Sequence, residues 1–326
     1  MRRAIVSTKA GVTHPVDDAA LTEAKLAPDK VLWLDVEKPT DADVKMLLEG
    51  FGFHPLAVDD LKTSHGTAKL DEYDDHVFQV VMVPQGMSAD DVQLVEVEMF
   101  YMKGTLVTCH DVPWPAIDEL WERVCRNPAV ELGRGAQTLY HNLVDRGVNA
   151  YFPILDLVDE RVEEIERQVF DVAHGRQTLP ELFRLRRNVR QLLRAARNQR
   201  ESVQRLAAGT VRSLTKETCY LFRDVHDHLL LIHDTLDDHR ETLGGLRDTY
   251  LGVISNRMNE VMKTLTIFSA LLLPLAFITG LWGMNFEVIP GAKDPNGFWY
   301  FLGACVVVSL VMLRFMWRKG WLKRIS

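Results

Sequence analysis

The chain has 326 residues, 47% of them hydrophobic and 25% charged, with a formal net charge of -7. That acidic balance attracts cations rather than polyanions, so no nucleic-acid partner is expected. Its four cysteines, Cys109, Cys125, Cys219 and Cys305, are scattered and form no Cys-x-x-Cys pair. A disulfide framework or zinc ribbon is therefore not expected, and buried reduced thiols are.

Residues 1–9 contain no long apolar run, so no signal peptide is expected. Up to about residue 150 strands and helices mix. Val31–Val36 reads as a strand, and Thr40 is placed to cap a helix over residues 41–48. His76–Val83 reads as a second strand. Leu94–Tyr101 and Thr105–His110 read as a strand pair turning at Lys103 and Gly104. An α/β domain of unassigned strand order is predicted.

From Pro153 onward the strand signals stop. Helices are predicted over Leu155–Ala173, over Leu179–Ala208, and from Thr215 onward. The middle one is strongly basic, with Arg184, Arg186, Arg187, Arg190, Arg194, Arg197 and Arg200. Acidic helices before and after it are expected to pair with this face, giving a solvated, salt-bridged helix rather than a nucleic-acid arm. His226, His228 and His233 do not share one helix face, so a transition-metal site is not expected among them. No proline follows Leu214 until Pro274. One helix of about 100 Å, at about 1.5 Å per residue, is therefore predicted to run on into a membrane span, and such a length calls for partner helices.

Two stretches are apolar on every side. Thr264–Trp282 has no charged residue, and Phe298–Trp317 has only Arg314, near its end. Each is about as long as a bilayer core requires, and a terminal arginine can reach the interface. Trp282, Trp299, Tyr300, Trp317 and Trp321 sit near the span ends, as interfacial aromatics do. Arg257 and Lys263 precede the first span, and Arg318, Lys319, Lys323 and Arg324 follow the second. The connecting loop holds Glu287, Lys293 and Asp294 and is net negative. The positive-inside rule then puts both termini in the cytoplasm, for a multi-pass protein of the plasma (inner) membrane.

Gly283-Met284-Asn285 follows the first span, with Phe286-Glu287 behind it, and the run Asn256–Thr266 precedes it. Together with Tyr250-Leu251, these residues closely resemble the CorA family of magnesium transporters. The resemblance extends to His54–Asp60, Lys69–Tyr73 and Phe222–His228; the first thirty residues and Pro113–Leu179 match only in general character. It implies an α+β membrane protein with an N-terminal α/β cytoplasmic domain, a long helical stalk and two C-terminal transmembrane helices, assembled as a funnel-shaped homopentamer. The expected divisions are a cytoplasmic α/β domain over 1–150, a helical region and stalk over 151–263, and a pore-lining span over 264–282. An extracytoplasmic loop over 283–297, a second span over 298–317 and a basic tail over 318–326 complete the chain.

The resemblance implies a selectivity filter of Gly283, Met284 and Asn285, with Glu287 concentrating cations at the mouth. Asn259, Met262, Leu265, Ser269, Leu273, Ala276 and Gly280 recur every three or four residues and form one helical stripe. For an isolated helix such a stripe reads as a lipid or packing face; the resemblance turns it toward a pore axis, with Met262 and Leu265 as apolar gate rings. At Leu273 and Ala276 the sequence departs from some family members. Asp60 and Asp224 match family positions that bind metal between subunits, and Asp59 and His228 are candidates for a second site nearby. The expected function is uptake of magnesium, with cobalt or nickel as surrogates, gated by internal magnesium. That ion is then both cargo and regulator, and no resident cofactor is expected.

Two alternatives stand. Ile289-Pro290-Gly291 and Asp294–Trp299 look more like the zinc-transporting branch of the same superfamily. A membrane-anchored sensor or enzyme would need a catalytic constellation. The sequence holds no Gly-rich phosphate loop, Gly-x-Ser-x-Gly or His-Glu-x-x-His, so no enzymatic activity is expected.

Overall fold

A computed structural model describes residues 1–8, 11–15, 17–26, 30–63, 66–170, 175–284, 289 and 294–321. The chain divides into two compact units, Met1–Arg247 and Asp248–Ser326.

The first unit is built on a seven-stranded sheet. Its strands are β1 (Arg2–Thr8), β2 (Gly11–Thr13), β3 (Val31–Glu37), β4 (Lys69–Glu72), β5 (Val77–Gln85), β6 (Gln93–Met102) and β7 (Thr105–His110). Their order is β2-β1-β3-β7-β6-β5-β4. Every pairing is antiparallel except β3 with β7, where Leu32 pairs with Thr105 and Val36 with Cys109. The turn between β6 and β7 falls at Lys103 and Gly104, as the sequence predicts, and Gly104 takes a φ of 85° that favours glycine.

Helices connect and cover these strands: α1 (Asp18–Leu26), α2 (Asp41–Lys45), α3 (Pro55–Asp59), α4 (Pro115–Arg126), α5 (Pro128–Glu131), α6 (Ala136–Asn149), α7 (Tyr151–Phe170) and α8 (Gly175–Ala207). Both faces of the sheet are covered, so β5 and β7 are buried along nearly their whole length rather than at alternate residues. On one face the Tyr101 ring stacks on Tyr140 of α6, 5.1 Å between centroids. On the other, Phe53 stacks on Phe100 at 4.5 Å, and Phe100 tilts against Phe78 at 4.8 Å. Each such pair adds about 0.5–1.5 kcal/mol beyond its buried area.

Thr40 caps α2 as its sequence position indicates. Its hydroxyl accepts from the Asp43 N–H while the Asp43 carboxylate accepts from the Thr40 N–H, a reciprocal capping box. The helix does not run regularly to residue 48. It becomes a π turn over Met46–Gly50, with the Phe51 N–H donating to the Met46 carbonyl at 3.1 Å. The wider turn delivers both Phe51 and Phe53 into the core, where each is nearly inaccessible.

α7 begins four residues before the predicted Leu155, with Pro153 in its first turn, where no N–H is needed. α8 begins at Gly175, ahead of the predicted Leu179, and contains Pro180. It buries Leu182, Leu185, Val189, Leu192, Ala196, Val203 and Leu206. Its Gln199 Oε1 accepts from the Met82 N–H at 3.0 Å, and the Tyr151 hydroxyl donates to the Met82 carbonyl at 3.3 Å. β4 stops pairing with β5 at Val80, so these two side chains satisfy the open edge of β5 beyond it. The expected salt-bridging of α8 is corrected. None of Arg184, Arg186, Arg187, Arg190, Arg194, Arg197 and Arg200 makes an ion pair among the described residues. Arg161 of α7 instead gathers Asp90, Glu164 and Glu181, while Arg187, Arg190 and Arg194 stand over a cleft. Helix packing, not charge pairing, holds α8 in place despite its like-charge repulsion.

The helix α9 (Lys216–Trp282) is 67 residues long, and α10 (Gly297–Arg318) follows it. Both are long and apolar enough to cross a membrane. Cys109, Cys125, Cys219 and Cys305 are all free thiols; Cys109 and Cys219 are buried as expected, whereas Cys125 is exposed and Cys305 partly so.

Candidate functional site

In the second unit, the face of α9 that is shielded carries Ile267, Ala270, Leu271, Pro274, Ile278 and Trp282, spaced by three or four residues. Trp282 meets Phe301 of α10, 5.2 Å between ring centroids, and Ile267 and Met316 are buried within the two apolar stretches. At about 100° per residue, Met262, Leu265, Ser269, Leu273, Ala276 and Gly280 fall on the opposite face. All six are exposed, as is Asn259 toward the N-terminal side of the stripe; Leu273 is 75% exposed. A large apolar side chain so uncovered requires lipid or protein around it rather than water.

Hydroxyls inside this stretch return to the helix's own carbonyls. Thr264 donates to Glu260, Thr266 to Met262 and Thr279 to Leu275, at 2.7–3.0 Å. Such back-bonding satisfies the hydroxyls where no water is available. α9 ends at Trp282, and the Gly283 N–H still donates to the Thr279 carbonyl at 2.9 Å. A Cβ on Gly283 would lie 3.2 Å from that carbonyl oxygen. Met284 is half-exposed, and Asn285 and Glu287 lie outside the described residues.

The candidate sensor residues fall on two elements. Asp59 and Asp60 sit where α3 passes into a 3-10 turn over Asp60–Lys62. Pro55 opens α3, and the His54 ring nitrogen accepts from the Leu56 N–H at 3.2 Å. Asp60 is ion-paired with Lys69, and Asp59 lies 3.3 Å from Lys62. Burial works to lower the pKa of Lys69, but its hydrogen bonds to Asp60 and Asp71 outweigh that and hold it above the ordinary lysine range. Asp224 and His228 are on α9: Asp224 is exposed, and the His228 Nδ1 lies 3.1 Å from the Asn149 Oδ1. Within one copy the two sets are not brought together. Among the described residues no group of three or more His, Cys, Asp or Glu side chains could hold a metal. Lys69, the partner of Asp60, lies in the Lys69–Tyr73 motif, but nothing in the sequence signals the ion pair itself.

Residues 28–319 match the family described as CorA-like Mg2+ transporter protein. Among curated proteins, the chain is 32% identical over 289 residues to the putative metal ion transporter YfjQ of Bacillus subtilis, covering 89% of each. It is 30% identical over 292 residues to the cobalt/magnesium transport protein CorA of Thermotoga maritima, covering 89% of this chain and 83% of that one. The fold matches the complete CorA structure of Methanocaldococcus jannaschii with a TM-score of 0.82 over 99% of both chains at 22% identity. A match running through the α/β unit and both apolar helices leaves one assignment: the chain belongs to the CorA-like Mg2+ transporter family.

Proposed function

We propose that the chain is the subunit of a homopentameric channel that admits magnesium through the plasma membrane, with cobalt and nickel as surrogate ions. Five copies of α9 surround one axis, α10 lies outside, and both termini are cytoplasmic. The observation that carries this reading is the uncovered Met262–Gly280 stripe of α9, on the side away from the face that meets α10. A helix that is covered on one face and exposes a stripe of mixed small, polar and apolar residues on the other suits a shared conduit.

Magnesium is small, takes oxygen ligands and gives up its water reluctantly. Five Asn285 carboxamides at the mouth offer neutral oxygens to the ion's own water shell, binding it weakly enough for release. Glu287 raises the local cation concentration. Met262 and Leu265 form apolar rings that stop a hydrated ion by dewetting, and Asn259 gives a polar ring on the cytoplasmic side. Asp60 and Asp224 of neighbouring subunits, with Asp59 and His228 nearby, repel one another until a divalent ion bridges them. The bridged state is closed, and falling internal magnesium releases it.

Flux of magnesium into liposomes containing the wild-type chain and Asn285→Ala tests the reading. Transport by the wild type and its loss in a variant that still assembles is expected; near-normal flux in the variant removes the filter. The loop residues Ile289 and Asp294–Trp299 favour a second reading, a zinc transporter, and zinc flux without magnesium flux would establish it over the first.

A further inference from the structure

The first unit contains a cleft of about 620 Å3 between α8 and the ends of β5 and β6, which neither the ion pathway nor the sensor uses. Arg187, Arg190 and Arg194 line one wall, separated by one helical turn each and so stacked on a single face. All three are exposed, and none makes an ion pair among the described residues. Glu96 is the carboxylate in the lining, and it already accepts from the Gly66 N–H. Three guanidinium charges therefore face the cleft against one engaged carboxylate. The floor is apolar: Met82 and Ala195 are buried, with Leu94 beside them. Gln93 and Gln191 add amide donors and acceptors.

The walls are not soft. The Asn188 Nδ2 donates to the Ala89 carbonyl at 2.8 Å, fixing the β5–β6 connection to α8, and Arg161 holds Asp90 at 3.3 Å. Gln199, one turn beyond Ala195, is anchored on the Met82 backbone. The arginines thus project from a helix locked to the sheet on both sides of the cleft.

We propose that this cleft binds a nucleoside polyphosphate, its phosphates on the three arginines and its base on the Met82–Leu94–Ala195 floor. Guanidinium groups bind phosphate oxygens through paired N–H donors, and an unpaired row of them has the strongest affinity for a ligand carrying several phosphates. Inorganic phosphate would leave the apolar floor in water. A cleft of this volume is in the range that encloses a nucleotide-sized molecule.

Equilibrium dialysis of labelled ATP against the full-length chain in detergent, in metal-free buffer, tests the proposal independently of transport. Saturable binding is expected, and the Arg190→Gln/Arg194→Gln pair should weaken it by about tenfold to a hundredfold. Arg197→Gln, on the same helix outside the cleft, should keep the wild-type affinity. Absence of saturable binding, or equal binding by the paired variant, overturns the proposal. Inorganic triphosphate competing as well as ATP overturns the role of the floor. If the paired variant falls apart into smaller assemblies while the wild type binds no ATP, the arginines belong to a contact with another copy and the proposal fails.

Discussion

Lys69 closes an ion pair on the Asp60 carboxylate from nine residues away, and the same ammonium lies 3.2 Å from Asp71. Asp60 is a candidate ligand of the regulatory ion, so a cation arriving there must displace a lysine of the same chain. The lysine offsets the negative potential at this carboxylate, so a metal bound there has to compete with it. Lys69→Gln should shift inhibition by internal magnesium to lower concentrations, by about two- to fivefold for a partly exposed pair worth up to ~1 kcal/mol. Half-inhibition in liposome flux assays measures it, and an unmoved value would mean that Asp60 is not part of the sensor.

Asp224 is exposed on α9 without an ion pair among the described residues, so in the proposed pentamer its charge is available to a neighbouring copy. Asp224→Lys should raise the internal magnesium needed for half-inhibition roughly tenfold, the size of one lost contact of ~1.5 kcal/mol to a charged ligand. The same flux assay reads the change, and unchanged inhibition removes Asp224 from the regulatory site.

Gly147 of α6 packs so closely on β5 that a Cβ would come 2.9 Å from the Val81 Cγ1 and 3.4 Å from the Val83 Cγ2. Helix propensity alone favours alanine by about 1 kcal/mol. Overpacking against two β-branched side chains, which cannot swing aside, costs about 1–3 kcal/mol and wins. Gly147→Ala should therefore lower the Tm of the full chain in detergent, and a raised Tm would show that helix and sheet part easily.

Asp35 and His110 face each other on the parallel strands β3 and β7, 3.4 Å apart, with Arg3 3.0 Å from Asp35. Burial tends to raise Asp35, but the close approach of His110, the hydrogen bond from Thr108 and the charge of Arg3 bring it below its ordinary 3.8. Burial tends to lower His110, but its attraction to the Asp35 carboxylate carries it above its ordinary 6.5. The Asp35 contribution is complete above 3.8 and is lost as the pH falls through the depressed folded value. The His110 contribution is complete below 6.5 and is lost as the pH rises through the elevated one. Glu98, pushed up to about 8 mainly by burial, acts in the His110 direction, because its protonated form is favoured in the fold. Tm measured against pH should therefore decline from 6.5 upward, and less steeply in His110→Asn and in Glu98→Gln. A flat wild-type profile above 6.5 would contradict both assignments.

What the sequence made legible was local. Thr40 caps its helix through Asp43, three residues on, and the β6–β7 turn lies in a two-residue Lys103-Gly104 signal. The long α9 and the two apolar helices follow from uninterrupted periodicity and composition. What stayed hidden depends on distant partners. β1 and β2 alternate too weakly to signal strands locally, and β1 is fixed by six pairings with β3. The π turn over Met46–Gly50 has no sequence signal of its own; it arises where Phe51 and Phe53 must both reach the core. The Asp60–Lys69 pair and the cleft beneath the α8 arginines are tertiary in the same way. Each is formed by segments that meet only after the sheet is assembled.

The parallel seam between β3 and β7 also has a bearing on how the protein is made. β5, β6 and β7 join neighbours through short connections, so they can pair as soon as they emerge from the ribosome. β1, β2 and β3 emerge earlier but form only a three-stranded fragment, and one side of β3 has no partner until His110 has been translated. Throughout that interval the nascent chain displays a bare apolar strand edge, the kind of surface that chaperones must shield. Protease sensitivity of chains stalled before and after residue 110 would register the moment the seam closes.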